Sequence, residues 1–593
     1  MKPQFHTYKP FITKVLPGVL LFLISFLWFY FPGEYVLIAN RDLALFHFSP
    51  EALASILDQP GGLLEYAGNF LNQFLRFRFA GALVLALVIT TGYFIMMGLA
   101  ALISHKKDVY IPGILTSVLL LGMHNYYPHQ IAHSLGFILA IALLISLHTL
   151  KKRKFLFLAL AVPIFYLVAG GFVWMFSLLV IVLELAGGRK AGLLSLLVVS
   201  FYPAFLVAAC AALVCLDPFK ELALRPLPFG ADYGLSPWPG IFVAWMIICV
   251  VLVQLPIRIP VLKAFWMHII QGTAGLLALV LVLHFSYNRK NREFFQIEKM
   301  AVEQEWGKLL EYTTEHPSRN LFGSFYTNLA LANTGRLCSG LFQYPQSFGR
   351  RGLCFIWEAK SEILRRGSDF FWTVHFVNEA HHWAFESMIV DGFTRRNLSR
   401  LIQAELVRGN FKVAEKYIDL LGSAMFQKKI AKHYAGFLTD HGAMEIDPEL
   451  GPRLKTHMKE DFFSEGMDLE INLRSLIANE PLNLGAYDYL MALMLLEKKV
   501  NQVREALPGY LRASGGKLPA LLDECLLVYQ ITHPEEDISP LQVSASAIQR
   551  FEAYTRVLRE YRDQNAAARV LYPNYGNSFW FYLNFVSLPN QQQ

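Results

Sequence analysis

Long apolar runs fill the first half of the chain and constrain its fold more than any other feature. Residues 1–286 hold only 18 Lys and Arg and 10 Asp and Glu, against 35 and 36 in residues 287–593. A bilayer core takes about 20 apolar residues per helix, fewer where a helix is short. The runs read as nine spans, at roughly 15–31, 79–103, 111–125, 131–149, 155–169, 171–187, 191–216, 240–257 and 264–285. The stretch from Phe155 to Gly187 is too long for one upright helix, and Ala169-Gly170-Gly171 at its middle divides it in two. Over the whole chain 54% of residues are hydrophobic and 17% charged, where soluble domains carry about 25% charged residues. A single soluble globular domain is excluded.

Cytoplasmic loops are enriched in Lys and Arg, so the basic residues set the orientation. With the N-terminus inside, 13 of the 18 fall in cytoplasmic segments, among them Lys106, Lys107, the Lys151-Lys152-Arg153-Lys154 run, Arg189, Lys190, Arg258 and Lys263. The outer segments keep Arg41, Arg76, Arg78, Lys220 and Arg225, with eight acids from Glu34 to Asp232. Merging the divided run would move Arg189 and Lys190 outside, which supports the division. Nine spans then place the second half outside. The cluster Arg289-Lys290-Asn291-Arg292 opposes this, but long domains translocate largely regardless of charge. The first run has no small-residue cleavage site and continues into Trp28-Phe29-Tyr30, as an uncleaved anchor does. The overall charge of +7 belongs to topology, so no nucleic-acid partner is expected.

Beyond Phe285 the texture changes to charged amphipathic helices. Asn378-Glu379-Ala380-His381-His382-Trp383 aligns with Lys412-Val413-Ala414-Glu415-Lys416-Tyr417, and Ala380 and Ala414 are 34 residues apart, the period of a tetratricopeptide (TPR) helix pair. In the second copy Leu398, Leu401, Ile402 and Leu406 form one stripe, Gly409-Asn410 the turn, and Phe411, Ala414, Tyr417 and Leu421 the other stripe. Looser pairs fall at Trp306 to Glu315 with Leu321 to Leu337, and at Asn483 to Lys499 with Gln502 to Arg512. Stacked pairs make a solenoid, whose concave surface commonly holds a peptide or protein. The aromatic end, Tyr575 to Tyr582, reads as a capping strand or a membrane-surface contact.

Trp306-Gly307-Lys308-Leu309-Leu310-Glu311-Tyr312, His316-Pro317, Tyr326-Thr327-Asn328-Leu329-Ala330-Leu331, Tyr344-Pro345-Gln346 and the Ala380 to Phe385 helix resemble an uncharacterised family of multi-pass proteins of the Bacteroidetes with a TPR-like tail. The resemblance implies a Gram-negative inner membrane and brings no catalytic residues.

Chemistry has its clearest candidate in the outer loop 32–78, with Glu34, Asp42, Glu51, Asp58 and Glu65 and an amphipathic stretch from Leu63 to Phe79 suited to a membrane surface. Such a loop resembles the first outer loop of GT-C membrane glycosyltransferases, where an acid near its start is the general base. That resemblance would make Asp42, with Glu34, catalytic, taking the acceptor proton or holding a divalent metal. Here the two are single acids, not the pair such a motif carries, and an ordinary Arg41–Asp42 pairing explains the latter more simply. His129 and His133 stand four apart, a spacing that can bind metal, but aromatic and imidazole residues also belong to interfacial belts. Glu184 reads as a carboxylate snorkelling toward Arg189 and Lys190, and His268 and Gln271 as helix-packing residues. Cys210, Cys215 and Cys249 lie in apolar runs as small hydrophobes. An oxidising compartment would permit a Cys338–Cys354 bridge. No P-loop, dinucleotide fingerprint, GxSxG or HExxH motif is present.

The expectation is therefore an all-α chain: a polytopic membrane domain of about nine spans over 1–286, then a TPR-like α-solenoid over 287–593. It is an inner-membrane protein with a cytoplasmic N-terminus and a periplasmic second half. Its leading function is a scaffold whose solenoid binds an envelope protein, with the lipid bilayer as its other partner and no cofactor. The rival is a GT-C-like glycosyltransferase using a lipid-linked sugar.

Overall fold

The computed structural model describes residues 9–103, 109–150, 154–186, 193–213, 217–229, 233–234, 236–254, 264–456, 458, 464, 468–536, 541 and 543–587. Lys2, Lys106, Lys107, Lys151, Lys152, Arg153, Arg189, Lys190, Cys215, Asp232, Arg258 and Lys263 lie outside the described residues. The fold is all-α, with no strand among the described residues, and divides into two compact units, Met1–Arg292 and Glu293–Gln593.

The first unit comprises α1 (Lys9–Tyr30), α2 (Glu34–Ala39), α3 (Pro50–Leu57), α4 (Gly62–Asn72), α5 (Arg78–Ile103), α6 (Ile111–Asn125), α7 (Ile131–Thr149), α8 (Lys154–Ala169), α9 (Phe172–Ala186), α10 (Leu193–Leu213), α11 (Phe219–Leu224), α12 (Trp238–Gln254) and α13 (Ala264–Ser286). Among the described residues, nine of these helices occupy the nine apolar runs. Three stretches, Arg78–Ile103, Ile131–Thr149 and Trp266–Ser286, are long and apolar enough to cross a membrane by length and composition. Shorter apolar stretches, Val15–Tyr30, Ile111–Asn125, Leu156–Ala169, Phe172–Ala186, Val199–Leu213 and Trp238–Gln254, lie in the remaining runs. The 15 residues of α6 rise about 22 Å, less than the roughly 30 Å of a hydrocarbon core.

The division at Gly170-Gly171 is a built turn. Gly170 takes φ +56°, where a Cβ would lie 2.4 Å from the Arg225 carbonyl oxygen, and the Gly171 N–H donates to that same oxygen at 2.7 Å. A side chain here would clash in a conformation that L residues avoid. Glycine also permits close helix approach: a Cβ on Gly136 would sit 2.3 Å from the Phe172 ring where α7 meets α9.

Polar contacts gather the loops at one end of the bundle. Trp28 Nε1 donates to Asn125 Oδ1 at 2.7 Å, and Asn125 Nδ2 to Ser286 Oγ at 2.7 Å, joining the ends of α1, α6 and α13. The Gly61 N–H reaches the Leu167 carbonyl at 3.0 Å, Gln59 Nε2 reaches Asp217 Oδ2 at 3.2 Å, and the Tyr126 hydroxyl reaches the Tyr233 carbonyl at 2.7 Å. Gln271 and His268 do pack helices: Gln271 Oε1 accepts from the N–H groups of Tyr110 and Ile111 at 2.8 and 3.1 Å, and His268 stacks on Tyr110.

Outward faces of this unit are apolar. On α8, Leu156, Leu160, Ile164 and Leu167 repeat at helical spacing and are 55%, 60%, 61% and 62% exposed. Phe201 and Phe205 on α10 and Ile270, Leu277 and Leu281 on α13 continue the pattern.

The second unit takes up α14 (Arg289–Val302), whose first turn precedes the boundary, then α15 (Trp306–Glu315), α16 (Leu321–Asn333), α17 (Leu337–Gly340), α18 (Ser361–Thr373), α19 (Val377–Asp391), α20 (Arg395–Val407), α21 (Phe411–Ser423), α22 (Lys428–Thr439), α23 (Gly442–Ile446) and α24 (Leu450–Lys455). It continues through α25 (Leu469–Asn479), α26 (Leu484–Leu496), α27 (Val500–Ala513), α28 (Ala520–Thr532), α29 (Ala545–Glu560), α30 (Gln564–Tyr575) and α31 (Phe579–Phe585). Helices α18 to α22 pack each against the next. The first helices of two successive pairs open at Ser361 and Arg395 and the second at Val377 and Phe411, both intervals being 34 residues. Ala380 and Ala414 are both wholly buried where the helices cross, since a larger side chain would hold them apart. The turns repeat as well: His375 and Gly409, again 34 apart, are left-handed at φ +62° and +75°. Helix α26 is apolar but buried from Ala486 to Leu496, which makes it a core helix.

Two points that the sequence leaves open are decided here. The aromatic end is helix α31, not a strand, and its Phe579, Trp580 and Tyr582 are buried inside the unit. Ser578 caps that helix by accepting from the Phe581 N–H, a local choice that outweighs the strand preference of an aromatic run. Cys338 and Cys354 are free thiols: the Cys338 Sγ–H faces the Asp488 carbonyl and the Cys354 Sγ–H that of Phe355.

Candidate functional site

The loop end of the first unit holds the two acids singled out above, and each is set by local packing. Glu34 lies in the first turn of α2, where a carboxylate favours the helix N-terminus. Its Oε2 is 3.5 Å from Arg78 Nη2; Arg78 Nε in turn donates to the Tyr30 carbonyl at 2.7 Å and the guanidinium stands over the Tyr30 ring at 4.5 Å. Glu34 thereby joins the end of α1 to the start of α5. Asp42 is part-exposed in the turn after α2, two residues beyond the buried Asn40, whose Nδ2 donates to the Val36 and Tyr127 carbonyls. The amphipathic stretch is tied to the bundle, where α4 packs against α7 and α8. Its Glu65 takes a two-pronged bond from Arg225, Nε at 3.0 Å and Nη2 at 2.8 Å, the strongest carboxylate geometry available to arginine.

A second group at this end is a continuous chain of buried side chains. The Tyr233 hydroxyl is 2.8 Å from His129 Nδ1, His129 Nε2 is 2.9 Å from Ser134 Oγ, and Ser134 Oγ is 3.0 Å from His124 Nε2. His124, His129, Ser134 and Tyr233 are at most 6% exposed. The ring of His133 lies 5.1 Å from His129 and 5.4 Å from Tyr233, and its Nδ1 accepts from the Gln130 N–H at the start of α7. Each hydroxyl or imidazole can donate to the next or accept from it, so the chain has two self-consistent proton orders. Spacing brought out His129 and His133; Ser134 and Tyr233 escaped it, the first for being an ordinary helix residue and the second for being distant in sequence. His129 and His133 do stand side by side, but among the described residues no group of three His, Cys, Asp or Glu is disposed to hold a metal ion. The described contacts thus build Glu34 and His129 into different sets of partners.

Replacing Ser134 with alanine strips both imidazole Nε2 atoms of a buried partner, a cost of about 1–3 kcal/mol. Thermal denaturation in detergent will show a lowered midpoint for Ser134→Ala; an unchanged midpoint contradicts the chain.

In the second unit a buried ionic layer locks α14, α16, α18 and α20 together. Glu298 lies 2.9 Å from Arg366 and 3.3 Å from Arg396 and accepts from the Tyr326 hydroxyl at 3.1 Å. Arg396 also pairs with Asp369, which takes Arg400 at 3.1 Å. Burial alone would push the Glu298 carboxyl upward, but Arg366 and then Arg396 outweigh it and hold it down at about 2. Arg400 and Arg453 face the Trp372 ring, each 4.4 Å from its centre. None of these residues carried a motif, because the layer draws on positions up to 98 residues apart. Outside it, Phe385, Ile389, Val390 and Phe393 leave an exposed apolar patch at the end of α19 and the turn beyond.

Two all-α units, one with lipid-like outer faces and one of helix pairs at a 34-residue interval, define the chain structurally. It belongs to the family of unknown function DUF6057, whose pattern matches residues 9–586. No curated protein and no solved structure matches it.

Proposed function

We propose that this is a multi-pass protein of the inner membrane, with nine spans and a cytoplasmic N-terminus, that presents a TPR-like solenoid to the periplasm as a binding scaffold for an envelope protein. The observation that carries the membrane half is the outward apolar stripe on α8, with its counterparts on α10 and α13. Contiguous apolar patches of more than a few hundred Å² are rare on soluble monomers, and lipid is the solvent that would accept these faces. The shorter helices suit a bundle in which neighbours cover them, as they do for most of α6. For the second half, support comes from the 34-residue interval of helix starts, paired alanines and left-handed turns, with the apolar patch around Ile389 as a docking surface.

The glycosyltransferase reading, with Asp42 and Glu34 as catalytic acids taking the acceptor proton or holding a divalent metal, draws less support. Glu34 is already engaged by Arg78, and a general base needs a carboxylate open to its acceptor. Complementation of a deletion strain separates the two. The scaffold requires that Asp42→Asn and Glu34→Gln complement fully while Phe385→Asp with Ile389→Asp, present at normal level, does not. Loss of complementation in the loop variants together with full activity of the patch variant would overturn it in favour of the transferase.

A further inference from the structure

Helix α28 carries two neighbouring acids, Asp523 and Glu524, that the scaffold reading does not use. Both are buried, 6% and 3% exposed. Each meets the start of a different later helix. Asp523 Oδ2 accepts from the N–H of Ser544, the N-cap of α29, at 3.4 Å. Glu524 Oε2 accepts from the N–H of Phe579, the first residue of α31, at 2.7 Å. Two adjacent side chains thus fasten α29 and α31 to α28, beside the apolar cluster that holds Tyr554, Leu571 and Trp580.

The charges at this junction do not cancel. Arg550 on α29 is the cation facing the pair; its Nη1 lies 3.4 Å from Glu524 Oε1, and its side chain is 46% exposed. Asp523 is the other charged group bearing on Glu524. Among the described residues, α17, α27 and α31, which also pack on α28, add none. Asp523 Oδ1 is buried without a hydrogen-bond partner, although buried polar atoms nearly always find one. Two carboxylates beside one half-exposed guanidinium, with an oxygen that no donor reaches, leave a place for a proton. Burial pushes the Glu524 carboxyl up to about 7 against the pull of the Phe579 N–H and Arg550, and Asp523 adds to the rise. Burial pushes the Asp523 carboxyl up as well.

We propose that Asp523 and Glu524 form a proton-operated latch: one proton taken from solvent onto the pair tightens the α29–α31 layer on α28, and losing it loosens the layer. The docked layer binds more protons than a lifted one, because a lifted pair returns to ordinary carboxylate behaviour. Its hold is therefore full below about pH 4.5, the ordinary value for Glu524, and is lost as pH rises through about 7. The latch does not rest on the scaffold reading, so the two fail separately.

The test uses the full chain in detergent micelles, with its natural cysteines replaced and one buried leucine exchanged for a reporter thiol. Leu571→Cys reports from inside the layer and Leu401→Cys, in α20, serves as reference; both leucines are wholly buried. Maleimide labelling is timed from pH 5 to pH 8, and each rate is divided by that of the same chain carrying Glu524→Gln. That variant keeps the side chain neutral at every pH, and the division cancels the titration of the thiol. The ratio at Leu571→Cys is expected to rise at least tenfold across the range and to stay level at Leu401→Cys. Asp523→Asn, which removes the second acid, flattens the rise, and Arg550→Gln, which removes the opposing cation, enlarges it. A level ratio at Leu571→Cys overturns the latch, as does an equal rise at both reporters or a rise that neither Asp523→Asn nor Arg550→Gln alters.

Discussion

Glu298→Gln is expected to destabilise the second unit by about 3–5 kcal/mol, because the substitution leaves Arg366 and Arg396 buried with the charge between them removed. Arg366 has little alternative: apart from its bond to the Glu362 carbonyl, it lies against the rings of Phe322 and Phe294 at 4.5 and 5.1 Å. The same carboxylate sets an acid limb. Its native pKa is held at about 2, below its ordinary value, so the stability it contributes is fully present above about pH 4.5. That contribution is lost as pH falls toward 2. Denaturation followed at neutral pH and again near pH 3 will show the variant less stable at neutrality and less sensitive to acid than the native chain. Equal stability of the two at neutral pH contradicts the assignment.

Trp580→Ala is the second large effect, and it falls on the C-terminal helices. Trp580 is wholly buried among Tyr554, Leu571, Phe551 and Tyr575. Its Nε1 donates to the Glu524 carbonyl at 2.8 Å, and its own carbonyl accepts from the Tyr554 hydroxyl at 3.1 Å. Truncating a buried tryptophan costs about 3–5 kcal/mol, and here it also orphans the bond that ties α31 to α28. Limited proteolysis should therefore cut between α28 and α29 at a protease level that leaves the native chain intact. Simultaneous loss of the entire second unit, with no early fragment, would show that these helices are not a separable layer.

Much of the fold was legible because it is written in local patterns. Apolar runs located nine helices, Gly170-Gly171 marked a turn that only glycine fits, and the 34-residue interval between Ala380 and Ala414 reappears as the spacing of helix starts. What stayed hidden depends on distance. Ser134 and Tyr233 join two histidines only because α7 and the segment before α12 meet in space, and Glu298 finds Arg366 and Arg396 across 68 and 98 residues. No local pattern encodes such pairings. The aromatic end misled for a different reason: Tyr575 to Tyr582 has the composition of a strand or a lipid contact, and the fold buries it as a helix. At the candidate site, sequence picked out Glu34 as an acid at the start of an outer loop, whereas Arg78 gives it a place in joining two helices.

Accessibility of single cysteines tests the membrane-and-scaffold account most directly. In a full chain with its natural cysteines replaced, Phe48→Cys, in the loop after α2, and Tyr572→Cys, on α30, are both well exposed, as is Leu150→Cys at the opposite end of α7. In intact spheroplasts a membrane-impermeant maleimide should label the first two at once and the third only after permeabilisation. Equal labelling of Phe48→Cys and Leu150→Cys before permeabilisation, or protection of Tyr572→Cys until after it, would contradict the account.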